Sequence, residues 1–535
     1  VTPYFQYKSI LTDMSLVVSR QGSVILSGDD EGLPEFTIKE HEYKREYMTV
    51  FGPWFHISGL TFSGSGVGEY KTGVARMFAV RKDAAYSAML TRNQHQLSRR
   101  LRQKLFCFKK HLHRHYHDED YETSFPEWLF APHAKKKLRL STFERSCAAR
   151  GDHVEYDRSV KYKLKPFELL KQGKKRAIGD LGAMRTNATA WSVTQFKAAW
   201  ENRHIDGNYT IEFVARPDKG SLKQVFANLM GVSKGKVFYN YFSDDCNVAA
   251  GCADGNFYCN GDIEKCDASH FTPMFKILEN LLTTDCSHKP TRTAKAIKRA
   301  ISYLFKPLVV VNKYNHKQRC KYEFNSARLY SGSILTTLVN NCANLCIALA
   351  LSLRCPDPGQ VTRAEFAEMY RKSAEDCGYI MKVNVCDKPE DLQFLKHSPV
   401  RTETGDYTPI VNIGTYLRGF GKTYGDLNGS SKIPLSIRAR RHISGVVRGR
   451  LNWGDHELGH SFDKFLLDEF DERVVSCERA RSDGDCQRVE LDAIAVRYRC
   501  TPRELEILCD YIRESDLTSI IWLPIIDKIY AVDYG

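Results

Sequence analysis

Residues 237–273 read VFYNYFSDDCNVAAGCADGNFYCNGDIEKCDASHFTP and hold two clusters of aspartate, Asp244 with Asp245 and Asp262 with Asp267. Each cluster follows an apolar, aromatic run of the kind that forms a buried strand. VFYNYF is broken by Ser-Asp-Asp and followed by CNVAAGC, which predicts strand, tight turn, strand with two acidic side chains at the turn. NFYCN ends at Gly261, and Asp262 and Asp267 come next, so a strand end and the following turn can present both to one place. Either cluster alone would serve to cap and solvate a hairpin, because aspartate is common in turns. Two strands delivering carboxylates to one point instead suit a pair of hard divalent cations, as in displacement at phosphorus.

These motifs resemble those of viral RNA-dependent RNA polymerases, particularly the picornavirus-like ones. Asp262 and Asp267 followed by Ala268 and Ser269 are similar to palm motif A, and Ser243-Asp244-Asp245 after an aromatic strand resembles motif C, usually GDD. SGSILTTLVNN at 331–341 matches motif B at Ser331, Gly332, Thr336, Thr337 and Asn340. The order here is C, A, B, as in the permuted polymerases of permutotetraviruses and birnaviruses. Downstream of motif B the usual slot for motif C is empty, since Asp357 sits between prolines in CPDPG. A second triplet, Gly28-Asp29-Asp30, is followed by EGLPEF, whose proline and glutamates argue against a returning core strand and leave a surface turn.

The resemblance implies an α+β right-hand polymerase with fingers, palm and thumb and an antiparallel palm sheet in permuted C-A-B connectivity. The expected organisation is an N-terminal extension and fingers at 1–150, fingers with basic motif F at 151–236, and palm motifs C and A at 237–274. A fingers insert at 275–325, palm motifs B, D and E at 326–400 and a helical thumb at 401–535 complete it. It further implies that Asp262, Asp244 and Asp245 hold two Mg²⁺ or Mn²⁺ ions, and that Asp267 and Asn340 sense the ribose 2′-hydroxyl. Ser331, Gly332 and Thr336 would join them in binding nucleotide. The serine of SDD departs from the usual glycine and bears on metal preference.

KYKLKPFELLKQGKKRAIGDLG, from 161, resembles motif F, a basic hairpin that surrounds the triphosphate tail with cations. Lys163, Lys165, Lys174 and Arg176 are the candidates, Arg176 foremost because a guanidinium grips phosphate through two bonds. RAEFAEMYRKSAEDCG carries a helical stripe at Phe366, Met369, Tyr370, Ala374 and Cys377 that stops at Gly378, and YIMKVNV reads as a strand. This stretch looks like motif D running into motif E, with Phe394 to His397 gripping the primer end. The family comparison implies a lysine general acid for the leaving pyrophosphate, for which Lys388 is preferred to Lys382. Lys396, Arg438, Arg440 and Arg441, with Arg448 and Arg450 beside them, would contact RNA phosphate. TPRELEIL has Thr501 as helix cap, Pro502 at the first helical position and Glu504 completing a capping box.

The chain has 535 residues, enough for several cores, and 42% hydrophobic with 27% charged residues is the balance of a folded globular protein. A net charge of +14 favours a polyanionic partner. Seventeen cysteines without a signal peptide suggest a reducing compartment, and Cys246, Cys252, Cys259 and Cys266, lacking a CxxC pair, read as small core hydrophobes. Residues 335–353 come closest to a membrane span, but Asn340, Asn341 and Asn344 make a buried helix the expectation. The chain opens at Val1 without an initiator Met, as a processed or trimmed piece would. Residues 92–117 predict a basic helical stretch in which HLHRHYH completes no metal-ligand spacing. The partners the resemblance implies are template and product RNA, nucleoside triphosphates and a protein primer, in host cytoplasm. Competing readings are a degenerate, RNA-binding polymerase fold, a reverse transcriptase, and a zinc peptidase built on His456-Glu457-Leu458-Gly459-His460 with Glu469 or Glu472 as third ligand.

Overall fold

The computed structural model describes residues 8–9, 48–55, 74, 84–115, most of 159–322, 329–450 except 425, 454–474 except 473, and 487–535. It is a mixed helix and strand structure. In chain order, the elements that position the site are helix α1 (Ala84–His95), helix α2 (Arg99–Arg114), strands β1 (Ser159–Leu164) and β2 (Ala177–Asp180), and helix α3 (Ala183–Trp200). Strands β3 (His204–Asp206) and β4 (Tyr209–Phe213), helix α4 (Lys219–Met230) and the meander β5 (Val237–Phe242), β6 (Asp245–Cys252) and β7 (Gly255–Ile263) follow. Next are helices α5 (Thr272–Leu282) and α6 (Arg292–Leu304), strands β8 (Leu308–Asn312) and β9 (Asn315–Tyr322), helices α7 (Thr336–Arg354) and α8 (Arg363–Asp376), and strand β10 (Met381–Val385). The hairpin β11 (His397–Arg401) and β12 (Tyr407–Val411) leads into a mainly helical remainder containing α9 (Leu435–Arg450), α10 (Leu491–Tyr498), α11 (Pro502–Glu514) and α12 (Pro524–Tyr534).

The central sheet has six strands in the order β10-β7-β6-β5-β4-β3. All neighbours are antiparallel except β4 and β5, which are parallel and joined through α4. Alternation along the strands sends Tyr239, Tyr241, Val248, Cys259 and Ile263 into a core shared with α7 and α8. The other face turns Phe238 and Ala249 toward Leu222, Val225 and Phe226 of α4 and the core of the C-terminal part. Burial on both faces explains why VFYNYF is a continuous apolar run with a single Asn in it.

Helix α7 is long and apolar enough to cross a membrane by length and composition, yet 83% of its apolar stretch is buried inside the protein. Helix α8 starts on a capping box made by Thr362 and Glu365, and α11 on the one expected from Thr501 and Glu504. A second, four-stranded sheet runs β9-β8-β1-β2, so the basic hairpin and the insert after Asp267 share one layer. Among the described residues every cysteine is a free thiol, and Cys246, Cys252, Cys259 and Cys266 are buried in the core as the sequence implied. The Gly28-Asp29-Asp30 triplet lies outside the described residues.

Candidate active site

The turn between β5 and β6 is made by Ser243 and Asp244, and Ser243 has φ 59°, a left-handed conformation that glycine adopts more easily. Three asparagines of α7 offset that strain. Ser243 N donates to Asn341 Oδ1 at 2.8 Å, Asn344 Nδ2 donates to Ser243 O at 2.6 Å, and Asn340 Nδ2 donates to Ser243 Oγ at 2.9 Å. The hydroxyl that a glycine would lack is therefore used, which accounts for the serine of SDD. Asn341 and Asn344 were absent from the expected site. Their signal was available as polar amides inside an apolar helix, which must find partners when buried.

Across the sheet, Phe242 pairs with Asp245, Asp245 with Asp262, and Asp262 with Lys382 of β10. Directly opposite residues share a face, so Asp245, Asp262 and Lys382 form one row at the end of the sheet next to the Ser243 turn. Gly261 lets β7 lie close there: a Cβ on it would sit 2.3 Å from Cys246 Sγ and 2.9 Å from the Tyr370 hydroxyl. Two residues along the same face stands a second polar row, Asn240, Asn247, Asn260 and Asn384. Asn247 donates to Asn260 Oδ1 at 2.7 Å and to Gln393 O at 3.1 Å, and Asn260 donates to Asp391 O at 2.9 Å.

Asp267 lies in the short helical turn Cys266–Ser269 and accepts from Asn340 Nδ2 at 3.0 Å. The same amide nitrogen thus joins the turn carrying Asp244 to the turn carrying Asp267. Burial pushes the Cys266 thiol well above its usual range, and the negative charges of Asp244, Asp267 and Asp262 push it further in the same direction. One buried sulfur therefore feels aspartates from both clusters.

Near the start of α7, Gly179 N donates to Ser331 O at 2.7 Å, and Gly332, at φ 98°, comes so close that a Cβ on it would lie 2.3 Å from Gly179 O. The basic hairpin is thereby fastened to the loop that begins the helix. Thr336 Oγ1 turns back to Tyr330 O at 3.4 Å. Lys163 forms an ion pair with Asp180 at 3.7 Å, while Lys165, Lys174 and Arg176 lie outside the described residues.

Other expected residues are placed differently. Lys388 donates to Val496 O at 2.6 Å, past the end of β10 remote from the acidic row, whereas Lys382 stands in that row. Strand register thus sets Lys382, and not Lys388, opposite Asp262. Arg438 is 6% exposed and donates to Leu427 O and Ile433 O, with Asp426 beside it, so it braces a loop and is not a phosphate contact. Arg441 pairs with Glu469, Arg448 donates to Leu467 O and Arg440 is solvent-facing, while the Arg450 side chain lies outside what the structure describes. Phe394 and His397 bridge a two-residue turn in which Leu395 and Lys396 have φ 50° and 66°. Lys396 is exposed there, its ammonium 4.5 Å from the Tyr534 ring. The segment before that turn is held by Arg497, which donates to Glu390 O at 2.9 Å and Gln393 Oε1 at 2.9 Å and forms a buried ion pair with Asp533 at 3.0 Å.

The HExxH pattern forms no zinc face. Its helix is only Glu457–His460, buried His456 caps it by accepting from Gly459 N, His460 bonds Asp455 and Asp463, and Glu457 bonds Arg513.

Among the described residues no three His, Cys, Asp or Glu side chains are gathered into a cation cage. Asp244, Asp245 and Asp262 are nevertheless brought to one end of the sheet. Like charges set opposite across two strands destabilise it, and carboxylate oxygens suit a hard divalent cation that would relieve that cost. The donor chemistry therefore fits Mg²⁺ or Mn²⁺.

Fold and site together define a mixed helix and strand protein with an acidic row at one end of a largely antiparallel sheet, next to a turn held by the asparagines of a buried apolar helix. Solved structures with a similar course of chain include a birnavirus VP1-VP3 complex, at 10% identity and TM-score 0.42, covering 68% of this chain and 49% of that one. Another is the RNA polymerase VP1 from Infectious Pancreatic Necrosis Virus, at 11% identity and TM-score 0.41, covering 60% of this chain and 44% of that one. This chain thus spans less than half the length of either, and likeness at this level speaks to neither substrate nor chemistry. No family model and no curated protein matches the sequence.

Proposed function

We propose that the chain is a viral RNA-dependent RNA polymerase that joins ribonucleotides to an RNA 3′-hydroxyl for genome replication and transcription. The observation that carries this reading is Asp245 opposite Asp262, with Asp244 in the adjoining turn and Asn340 bonded both to that turn and to Asp267. The six-stranded sheet is then the palm in C-A-B order, and the four-stranded sheet belongs to the fingers.

Asp244, Asp245 and Asp262 would hold two Mg²⁺ or Mn²⁺ ions, which supply Lewis acidity toward the attacking and departing oxygens. The chain's own residues do the rest. Asp267 and Asn340 bind the ribose 2′-hydroxyl, and Ser331, Gly332 and Thr336 shape the nucleotide pocket. Lys163, with Lys165, Lys174 and Arg176, neutralises the triphosphate. Lys382 gives a proton to the leaving pyrophosphate in place of Lys388. Lys396 and Arg440 meet RNA phosphate. A protein primer, and replication in host cytoplasm, belong to the same proposal.

Primer extension on a homopolymer template with wild type, Asp244→Ala and Asp262→Ala tests it. Template-dependent ribonucleotide incorporation by wild type, lost in both variants, is expected. Equal incorporation by all three would remove the catalytic assignment, and RNA binding without any incorporation would favour a degenerate polymerase fold.

A further inference from the structure

Behind Asp267 and Asn340 runs a chain of buried hydrogen bonds to which the reading above assigns no role. Asn340 Oδ1 lies 2.6 Å from His270 Nε2, and His270 Nδ1 lies 2.7 Å from the Tyr379 hydroxyl. His270 and Tyr379 are both 0% exposed, and Asn340 is 1% exposed.

One charge fixes the direction of every bond. An ionised carboxylate only accepts, so Asp267 requires the Nδ2 side of Asn340. The amide oxygen is thereby turned toward His270, and an acceptor there needs an N–H opposite it. A neutral imidazole carries one N–H, and burial keeps this ring neutral, its pKa pushed down to about 4. The proton therefore sits on Nε2, Nδ1 is bare, and the Tyr379 hydroxyl donates to it. Turning any member over would set acceptor against acceptor or donor against donor.

We propose that His270, backed by Tyr379, is a positioning residue for sugar selection: it locks the Asn340 amide in the one orientation that presents N–H to Asp267 and Ser243, and so sets the preference for ribonucleotides over 2′-deoxyribonucleotides. The inference rests on the polymerase reading and deepens it. Without the His270 donor, the Asn340 oxygen becomes a buried acceptor lacking its partner, and the amide is held from one side only. The relay also reaches beyond the pocket. Tyr379 directly follows Gly378, at φ 84°, and precedes β10, the strand that carries Lys382.

The test is the ratio of kcat/KM for a ribonucleoside triphosphate to that for its 2′-deoxy counterpart, in primer extension with the full chain. His270→Gln keeps an amide N–H able to reach Asn340 Oδ1, and its ratio is expected within about twofold of wild type. His270→Leu is expected to lower the ratio roughly tenfold and Tyr379→Phe roughly threefold, the size of one neutral hydrogen bond, chiefly through a higher KM for the ribonucleotide. Rates that fall equally for both sugars, leaving the ratio unchanged, mean a merely structural role and overturn the proposal. If His270→Leu shows no cooperative melting, Tyr379→Phe, which loses a single oxygen, decides alone. A wild-type chain that incorporates neither nucleotide overturns the polymerase reading and this inference with it. A wild type that polymerises while all variants keep its ratio overturns this inference only.

Discussion

Replacing Asn344 by leucine separates the turn geometry from the mere presence of aspartates. Asn344 is 0% exposed, donates to Ser243 O at 2.6 Å and accepts from the Tyr239 hydroxyl at 2.9 Å. Leucine has nearly the same shape, so little cavity is left, but both partners lose a hydrogen bond inside the core. Each such loss costs about 1–3 kcal/mol, and Tyr239, which keeps its contact with Tyr370, belongs at the lower end. The better helix propensity of leucine returns less than about 1 kcal/mol. The part that falls on the Ser243-Asp244 turn, the bond to Ser243 O, is about 2 kcal/mol and corresponds to roughly thirtyfold more frequent opening. Hydrogen exchange of a peptide spanning 240–248 should report this at the Ser243 amide, which donates to Asn341 Oδ1. Primer extension should fall in step, although every carboxylate remains. Unchanged exchange together with unchanged incorporation would refute the claim that α7 holds this turn.

Gly261→Ala places a methyl 2.3 Å from Cys246 Sγ, so β7 must shift; incorporation is expected to drop by on the order of a hundredfold, since misplacement by about 1 Å has that effect, and a rate near wild type would contradict the close approach. Arg438→Ala should lower the melting temperature while leaving RNA affinity alone, whereas Arg440→Ala should weaken RNA binding and flatten its salt dependence. The opposite pattern in a filter-binding and melting comparison would reverse the two placements. His270, His442 and His456 each have their pKa pushed down to about 4 by burial, from about 6.5 when unfolded. A depressed folded pKa means stability fully present above about pH 6.5 and lost as the pH falls toward 4. Melting temperature should thus decline below about pH 6, and a flat profile down to about pH 4.5 would exclude that burial.

The placement of the aspartates at strand ends was legible because each cluster follows an aromatic run that reads as a buried strand, and the capping boxes at Thr362 and Thr501 because their chemistry is local. What was not legible depended on register and facing. Choosing between Lys382 and Lys388 required knowing that Asp262 pairs with Lys382. Arginines clustered in sequence looked alike, but α9 turns Arg438 inward beside Ala439 and Ile443 and Arg440 outward. The HExxH pattern presupposed a helix through both histidines, and His456 is instead the cap. His270 went unnoticed since its partners Asn340 and Tyr379 are remote in sequence.

The ties made by Arg497 have a mechanical meaning. The buried bridge to Asp533 anchors the final helix to the backbone at Glu390, and Asn260 anchors that same segment to the strand bearing Asp262. Losing Asp533 would remove the buried partner that holds Arg497 against the segment preceding the turn at Leu395 and Lys396. The last turn of the final helix is thus joined, through Arg497 and the 390–393 segment, to the strand that carries Asp262, without touching the acidic row itself.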